Sequence, residues 1–135
     1  MTADHTDIQD RADIVRLVDS FYHDVRADEL LGPIFDDIAQ TDWAVHLPKM
    51  YDFWETVLFG RSAFRGNPLA VHLDLATRAA LTDREFGRWL GLFHHHVDRL
   101  FAGPVADDAK LRARRIAAVM HHHVAAHTAS ATASA

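Results

Sequence analysis

The chain has 135 residues, 49% of them hydrophobic and 24% charged, with 14 Lys and Arg against 19 Asp and Glu for a formal charge of −5. That length suits one domain with one core, and the acidic balance excludes the basic face that nucleic acid or an anionic membrane surface recruits. The absence of cysteine removes disulfides, thiolate metal ligands, C-x-x-C-H cofactor attachment and cysteine nucleophiles.

The stretch Met1–Asp10 is polar and acidic, with no basic segment followed by an apolar one, and no apolar run approaches ~18 residues. The expectation is a cytoplasmic protein. Ile14, Leu17, Val18, Phe21, Tyr22 and Val25 recur at the three-and-four spacing of an amphipathic helix from about Thr6 to Ala27, with Tyr22 at the edge of the buried stripe. Gly32-Pro33 breaks it and leaves Ile34 and Phe35 as large apolar side chains in a short turn.

Thr41 and Asp42 can cap a second helix whose stripe runs through His46, Leu47, Met50, Phe53, Trp54, Val57 and Leu58. Pro48 would cost about 3 kcal/mol inside it, so either the first turn is kinked or the regular helix begins near Leu47. A loop through Gly60 and Gly66 leads to Asn67, a cap residue, and Pro68, which suits a first helical turn. Val71, Leu73 and Leu75 then surround His72 with aliphatic carbon.

Leu75 to Leu81 has little period of its own. Thr82-Asp83-Arg84-Glu85 reads as a capping box for a helix striped by Phe86, Trp89, Leu90, Phe93, Val97, Leu100 and Phe101, and Gly103-Pro104 ends it. A last helix from about Asp107 turns Ala109, Ala113, Ile116, Ala117, Met120 and Val124 inward. The Thr, Ala and Ser tail, 128–135, is expected to be disordered, which leaves 1–127 as a single domain. No strand alternation and no internal repeat is visible, so the fold class is all-α, with about five or six helices.

Eleven histidines need sorting. His94-His95-His96 and His121-His122-His123 are runs, and consecutive helical residues point about 100° apart, so a run cannot converge on one metal. Most are expected in solvent, with His96, a heptad after Trp89, partly buried. The H-E-x-x-H spacing of a metallohydrolase, paired Glu-x-x-His motifs, a nucleophile elbow and a glycine-rich phosphate loop are all missing. His46 and His72 remain, each on an apolar face, with Tyr22 and Trp89 as amphipathic residues on two other helices. A histidine in such a place is commonly satisfied by a backbone carbonyl. It is also what a flat apolar cofactor with an axial metal position would use.

Phe21-Tyr22, Leu31-Gly32-Pro33-Ile34-Phe35, Trp43-x-x-His46, Phe53-Trp54, Gly66-x-Pro68-x-x-x-His72-Leu73 and Phe86-x-x-Trp89-Leu90-x-Leu92-Phe93 resemble, in that order, the third group of the truncated haemoglobins. The resemblance spans residues 8 to 125, and the double-glycine motifs of the other groups are missing. It implies a shortened globin, a two-over-two helical sandwich, holding haem b (iron protoporphyrin IX) with His72 as proximal iron ligand. Tyr22 and Trp89 would then be hydrogen-bond donors to a bound diatomic ligand, and His46 would occupy the distal histidine position. Phe35 would pack on the porphyrin, Met50, Phe53 and Trp54 would wall the pocket, and Lys49 would reach a propionate or stay a surface lysine. Met50 stands where the family commonly has a branched aliphatic, and the segment 76–82 reads as long and alanine-rich.

The function implied is binding of O2, NO or CO. Two donors to a partly charged ligand, each contributing ~1.5–3 kcal/mol, would slow its release by roughly two orders of magnitude or more. That suits turnover of NO or peroxide, or sensing, better than oxygen transport. With no reductase domain fused, turnover needs an external electron donor, and the chain is expected as a monomer or weak homodimer. Two other readings stand beside it: a cofactor-free helical interaction module whose aromatic residues are only core, and a non-haem metal-binding module using the histidine runs.

Overall fold

The computed structural model describes residues 5–61 and 64–134, with side chains described as far as residue 129. Met1–Asp4, Ser62, Ala63 and Ala135 lie outside the described residues, and with them the start of the N-terminal stretch and the last residue of the expected tail. The described residues form helices and no strand.

Helix α1 spans Arg11–Ala27, capped by the Asp10 carboxylate, which accepts the Asp13 backbone N–H. Its buried side are the six residues of the predicted stripe, Ile14, Leu17, Val18, Phe21, Tyr22 and Val25. It starts at Arg11 and not at Thr6 because the preceding residues are committed elsewhere. The Thr6 carbonyl accepts the Ala102 N–H (3.0 Å), and the Asp7 carboxylate accepts the N–H groups of Val105 (2.9 Å) and Ala106 (2.8 Å). Asp7 thus caps a helix almost a hundred positions downstream, and the approach is close. A Cβ on Gly103, whose φ is +146°, would lie 2.5 Å from the Asp7 side chain.

After α1 the chain turns on Asp28, whose carboxylate accepts the Leu30 and Leu31 N–H groups (3.1 and 3.0 Å) and the Arg88 guanidinium (2.6 Å). Gly32 follows, where a Cβ would sit 2.5 Å from the Arg26 carbonyl oxygen. Ile34–Ile38 form one π turn, closed by Ala39 N–H donating to Ile34 O at 2.8 Å. Helix α2, Trp43–Phe59, is capped by Asp42 and begins well before Pro48, which lies inside it. The helix tolerates the proline because Leu47, Met50, Tyr51, Phe53 and Trp54 all pack on the core that α1 organises.

Helix α3 is short, Pro68–Leu75, with the Asn67 side chain accepting the Ala70 N–H and Pro68 in its first turn. Turns carry the chain onward, and there the Arg78 guanidinium donates to the Ile38 carbonyl at 3.0 Å, tying this segment to the π turn. Helix α4, Asp83–Leu100, opens with the predicted Thr82–Glu85 capping box. Helix α5 runs Pro104–Ser134, so it begins at Pro104, not Asp107, and remains helical beyond Thr128, where the sequence suggests a disordered tail. The alanines there are strong helix formers and prolong an existing helix at little cost.

Two helix pairs result. α1 packs on α2, α4 packs on α5, and α1 lies across α4; α3 rests on α5. Among the described residues no helix is long and apolar enough to cross a membrane.

Burial works against the Asp7 carboxylate, but the N–H groups of Val105, Ala106 and Ile8 outweigh it and hold the group below its ordinary range. Its folded pKa being depressed, its contribution is present above the ordinary carboxylate pKa and is lost as pH falls through the lower folded value. Asp7→Ala is expected to cost about 1 kcal/mol, read as a lower denaturation midpoint with unchanged slope.

Candidate functional site

Tyr22 is the centre of an aromatic group drawn from three elements. Its ring centroid lies 5.2 Å from His46 and 5.4 Å from Trp43 on α2, and 5.9 Å from Phe35 in the π turn. Neighbouring Phe21 takes the other direction, meeting Trp89 edge-on at 5.7 Å and Phe93 at 5.3 Å. Burial pushes the Tyr22 phenol well above its ordinary range, while the neighbouring Trp89 indole acts in the opposite sense. The phenol therefore keeps its proton. Tyr22, His46 and Trp89, predicted separately on three helices, are brought together.

His46 is lowered to about 4, first by burial, then by the Lys49 charge and by His72. It is a neutral imidazole at physiological pH. Its Nε2 is buried and has no hydrogen-bond partner among the described residues, a condition that proteins rarely leave uncompensated. His72 lies near enough to act electrostatically on it.

His72 itself comes from α3. Asn67 and Pro68 set the start of α3, and one turn later the His72 Nδ1 lies 2.6 Å from the Pro68 carbonyl oxygen. A carbonyl only accepts, so Nδ1 carries the proton and the neutral ring presents Nε2 as a lone pair. This is the arrangement in which a histidine is oriented as a metal ligand. None of α3 is fully buried, and Val71 is 63% exposed. Phe86 covers one side of His72 at 6.5 Å and in turn meets His121 at 5.4 Å.

The remaining predicted residues divide. Phe35, Met50 and Phe53 are half-buried against the core, and Phe53 also packs on Phe64 at 5.2 Å. Trp54 is 3% exposed and stacks on Phe93 at 4.6 Å, which stacks on Trp89 at 5.6 Å. It acts on the site by fixing the plane of Trp89. Lys49 is exposed, with its charge reaching His46.

Trp43, Phe86 and His121 are the residues that sequence reasoning passed over. For Trp43 the signal was present, since three residues before His46 puts both rings on one helix face. His121 was grouped with the solvated runs, and only the antiparallel packing of α4 on α5 brings it to Phe86. His96 is more deeply buried than expected, 1% exposed, and joins α4 to α1 through Ser20 (2.8 Å) and Asp24 (2.7 Å). His95, His122 and His123 are exposed, and no group of three His, Asp or Glu side chains among the described residues is placed to hold a metal.

Helix pairs in this arrangement around a tyrosine, a half-buried neutral histidine and a second histidine on a short helix define a shortened globin. No family model matches the chain. Group 3 truncated hemoglobin ctb of Campylobacter jejuni is 34% identical over 107 residues, 77% of this chain and 82% of the relative. The crystal structure of group III truncated hemoglobin from Campylobacter jejuni superposes with a TM-score of 0.78 at 29% identity, covering 90% of this chain and 95% of that one. The chain belongs to the group III truncated haemoglobins.

Because His46 titrates at about 4 in the folded chain against about 6.5 when unfolded, the unfolded state binds the extra proton between those values. Stability is therefore expected to fall as pH drops from about 6.5 towards about 4. His46→Leu should flatten that part of the curve, measured by denaturant unfolding across pH.

Proposed function

We propose that this protein binds haem and, at the haem iron, a diatomic gas. The observation that carries the reading is the pair of imidazoles: His72 with Nδ1 donating to Pro68 O, and His46 with a buried Nε2 that has no partner. The residues present fit such a group. Phe35, Met50, Phe53, Phe86 and Trp89 are large, apolar and only half-buried, the kind of surface that a flat apolar ring covers, and Pro68 O fixes the tautomer in which His72 Nε2 is free to ligate. The kinship with group III truncated haemoglobins supports the same conclusion.

Haem held in this way supplies an iron that takes a diatomic ligand and exchanges electrons with it. The chain does the rest. His72 is the metal ligand and, as a neutral ring, adds no charge. Tyr22 keeps its O–H because burial disfavours the phenolate, so it remains a donor to the polar end of the ligand, with the Trp89 N–H beside it as the second. His46, neutral for the same reason, completes the ligand side without placing a cation there. Phe53 and Met50 keep water from the ring, and Lys49, exposed at the rim, is suited to a haem propionate.

Two donors on a partly charged ligand favour retention. We therefore place O2, NO and CO among the ligands, and turnover of NO or peroxide with an external electron donor ahead of oxygen transport. Haem b is the form the site suits, since the chain has no cysteine for covalent attachment.

Reconstituted with haem, the protein should give one Soret band per chain that shifts on reduction under CO, and His72→Ala should lose the imidazole-ligated features. Tyr22→Phe removes one donor worth ~1.5–3 kcal/mol and should speed O2 release by roughly one to two orders of magnitude, measured by stopped-flow displacement. Failure to hold haem would return the aromatic group to a purely packing role.

A further inference from the structure

A hollow of about 530 Å3 opens between α1 and α2 on the solvent side of the Tyr22 group, with Tyr22, Arg26, Asp36, Trp43, Leu47 and Tyr51 in its lining. Trp43, like Tyr22, lines this hollow and also packs on His46. Its ring centroid is 5.4 Å from His46, at an interplanar angle of 89°, and 5.7 Å from Phe35.

The three tryptophans are held by different means. Trp54 and Trp89 are stacked face to face on the two sides of Phe93. Trp43 is held from outside: Nε1 donates to Asp36 Oδ1 at 2.7 Å, the Arg26 guanidinium lies 4.8 Å above the ring, and Arg26 Nε is 3.6 Å from Asp36 Oδ1. The Arg26 and Asp36 side chains are 51% and 36% exposed. Pairs this exposed contribute little and are screened by salt, so this clasp opens cheaply while the core stays shut. At the other boundary the Tyr51 O–H donates to Asp19 and ties α2 to α1 beyond the hollow.

We propose that Trp43 is a gate on the path of a diatomic ligand between this hollow and the His46 side of the aromatic group, and that Arg26 and Asp36 are its latch. The proposal rests on the haem-binding reading given above. A gate acts on passage in both directions and leaves the end states alone. Opening it therefore speeds association and release by the same factor, with affinity unchanged, because a step of equal energy for both states shifts no equilibrium. A ring that merely props Tyr22 and His46 would behave otherwise: its loss would raise release alone.

The test is CO recombination after flash photolysis, with CO release measured separately, on the haem-loaded parent, Trp43→Ala and Asp36→Ala at low and high salt. Asp36→Ala should raise both rate constants roughly fivefold, the scale of an exposed ion pair and its hydrogen bond, and high salt should move the parent in the same direction. Trp43→Ala should exceed that in both directions, and in Asp36→Ala the equilibrium constant should stay within about twofold of the parent's. Rates that match the parent's in Asp36→Ala and Trp43→Ala, or a rise in release without a rise in association, would overturn the gate.

Fluorine NMR of the fluorotryptophan-labelled chain reads the latch without reference to ligand binding. The Trp43 resonance should respond to salt and to Asp36→Ala while those of Trp54 and Trp89 hold. A Trp43 line as indifferent as the other two would overturn the latch. Haem uptake by the parent is measured first, so that a failure there is assigned to the haem reading and the NMR result still decides the latch.

Discussion

Phe21 and Tyr22 are neighbours on α1 whose rings touch edge-on at 4.8 Å, and because helical neighbours diverge by about 100° the pair faces two sets of partners. Phe21 meets Trp89, Phe93 and His96 on α4. Tyr22 meets Trp43 and His46 on α2 and Phe35 in the π turn. Each contact is edge-on or tilted, the geometry that aromatic quadrupoles favour, and the two sets share a single backbone segment. This pair is one link between α4 and α2, the Trp54–Phe93 stack being another, and the candidate-site side chains are placed by the same packing that closes the core.

Around that pair the polar groups are treated unequally. His96 is buried and fully partnered by Ser20 and Asp24, which makes it a cross-brace between α4 and α1. His46 is half-buried, and its buried Nε2 has no partner among the described residues. His72 has one nitrogen engaged by its own helix. A buried nitrogen without a partner costs more than an exposed one gains, so the chain tolerates at His46 what it avoids at His96. That asymmetry separates the fully partnered His96 from His46, whose Nε2 has no partner among the described residues, and it cannot be read from composition.

Much of this was legible in the sequence because it depends on short-range periodicity. The α1 stripe, the Thr82–Glu85 box, the Asp42 and Asn67 caps and the break at Gly32-Pro33 are all settled within a few residues. The motifs around Tyr22, His46, His72 and Trp89 carried the family resemblance, and with it the globin fold. What escaped depends on contacts between distant segments. The start of α1 is displaced because Thr6 and Asp7 serve the corner around Ala102 and Ala106. The burial of His96 needs Asp24 from another helix, and the place of His121 needs the whole α4–α5 hairpin. Pro48 stays inside α2 because tertiary packing overrides local propensity. Trp43 was visible in its motif, but the Arg26 and Asp36 interactions that define its surroundings come from α1 and the π turn.

The central claim is that His72, oriented by the Pro68 carbonyl, is the residue that holds the iron. It is tested most directly by the iron–imidazole stretching band in the resonance Raman spectrum of the reduced, haem-loaded protein. The account predicts a single such band that shifts when histidine is labelled with heavy nitrogen, disappears in His72→Gly and returns when free imidazole is added. A band that persists unchanged in His72→Gly, or none in the parent, would contradict it.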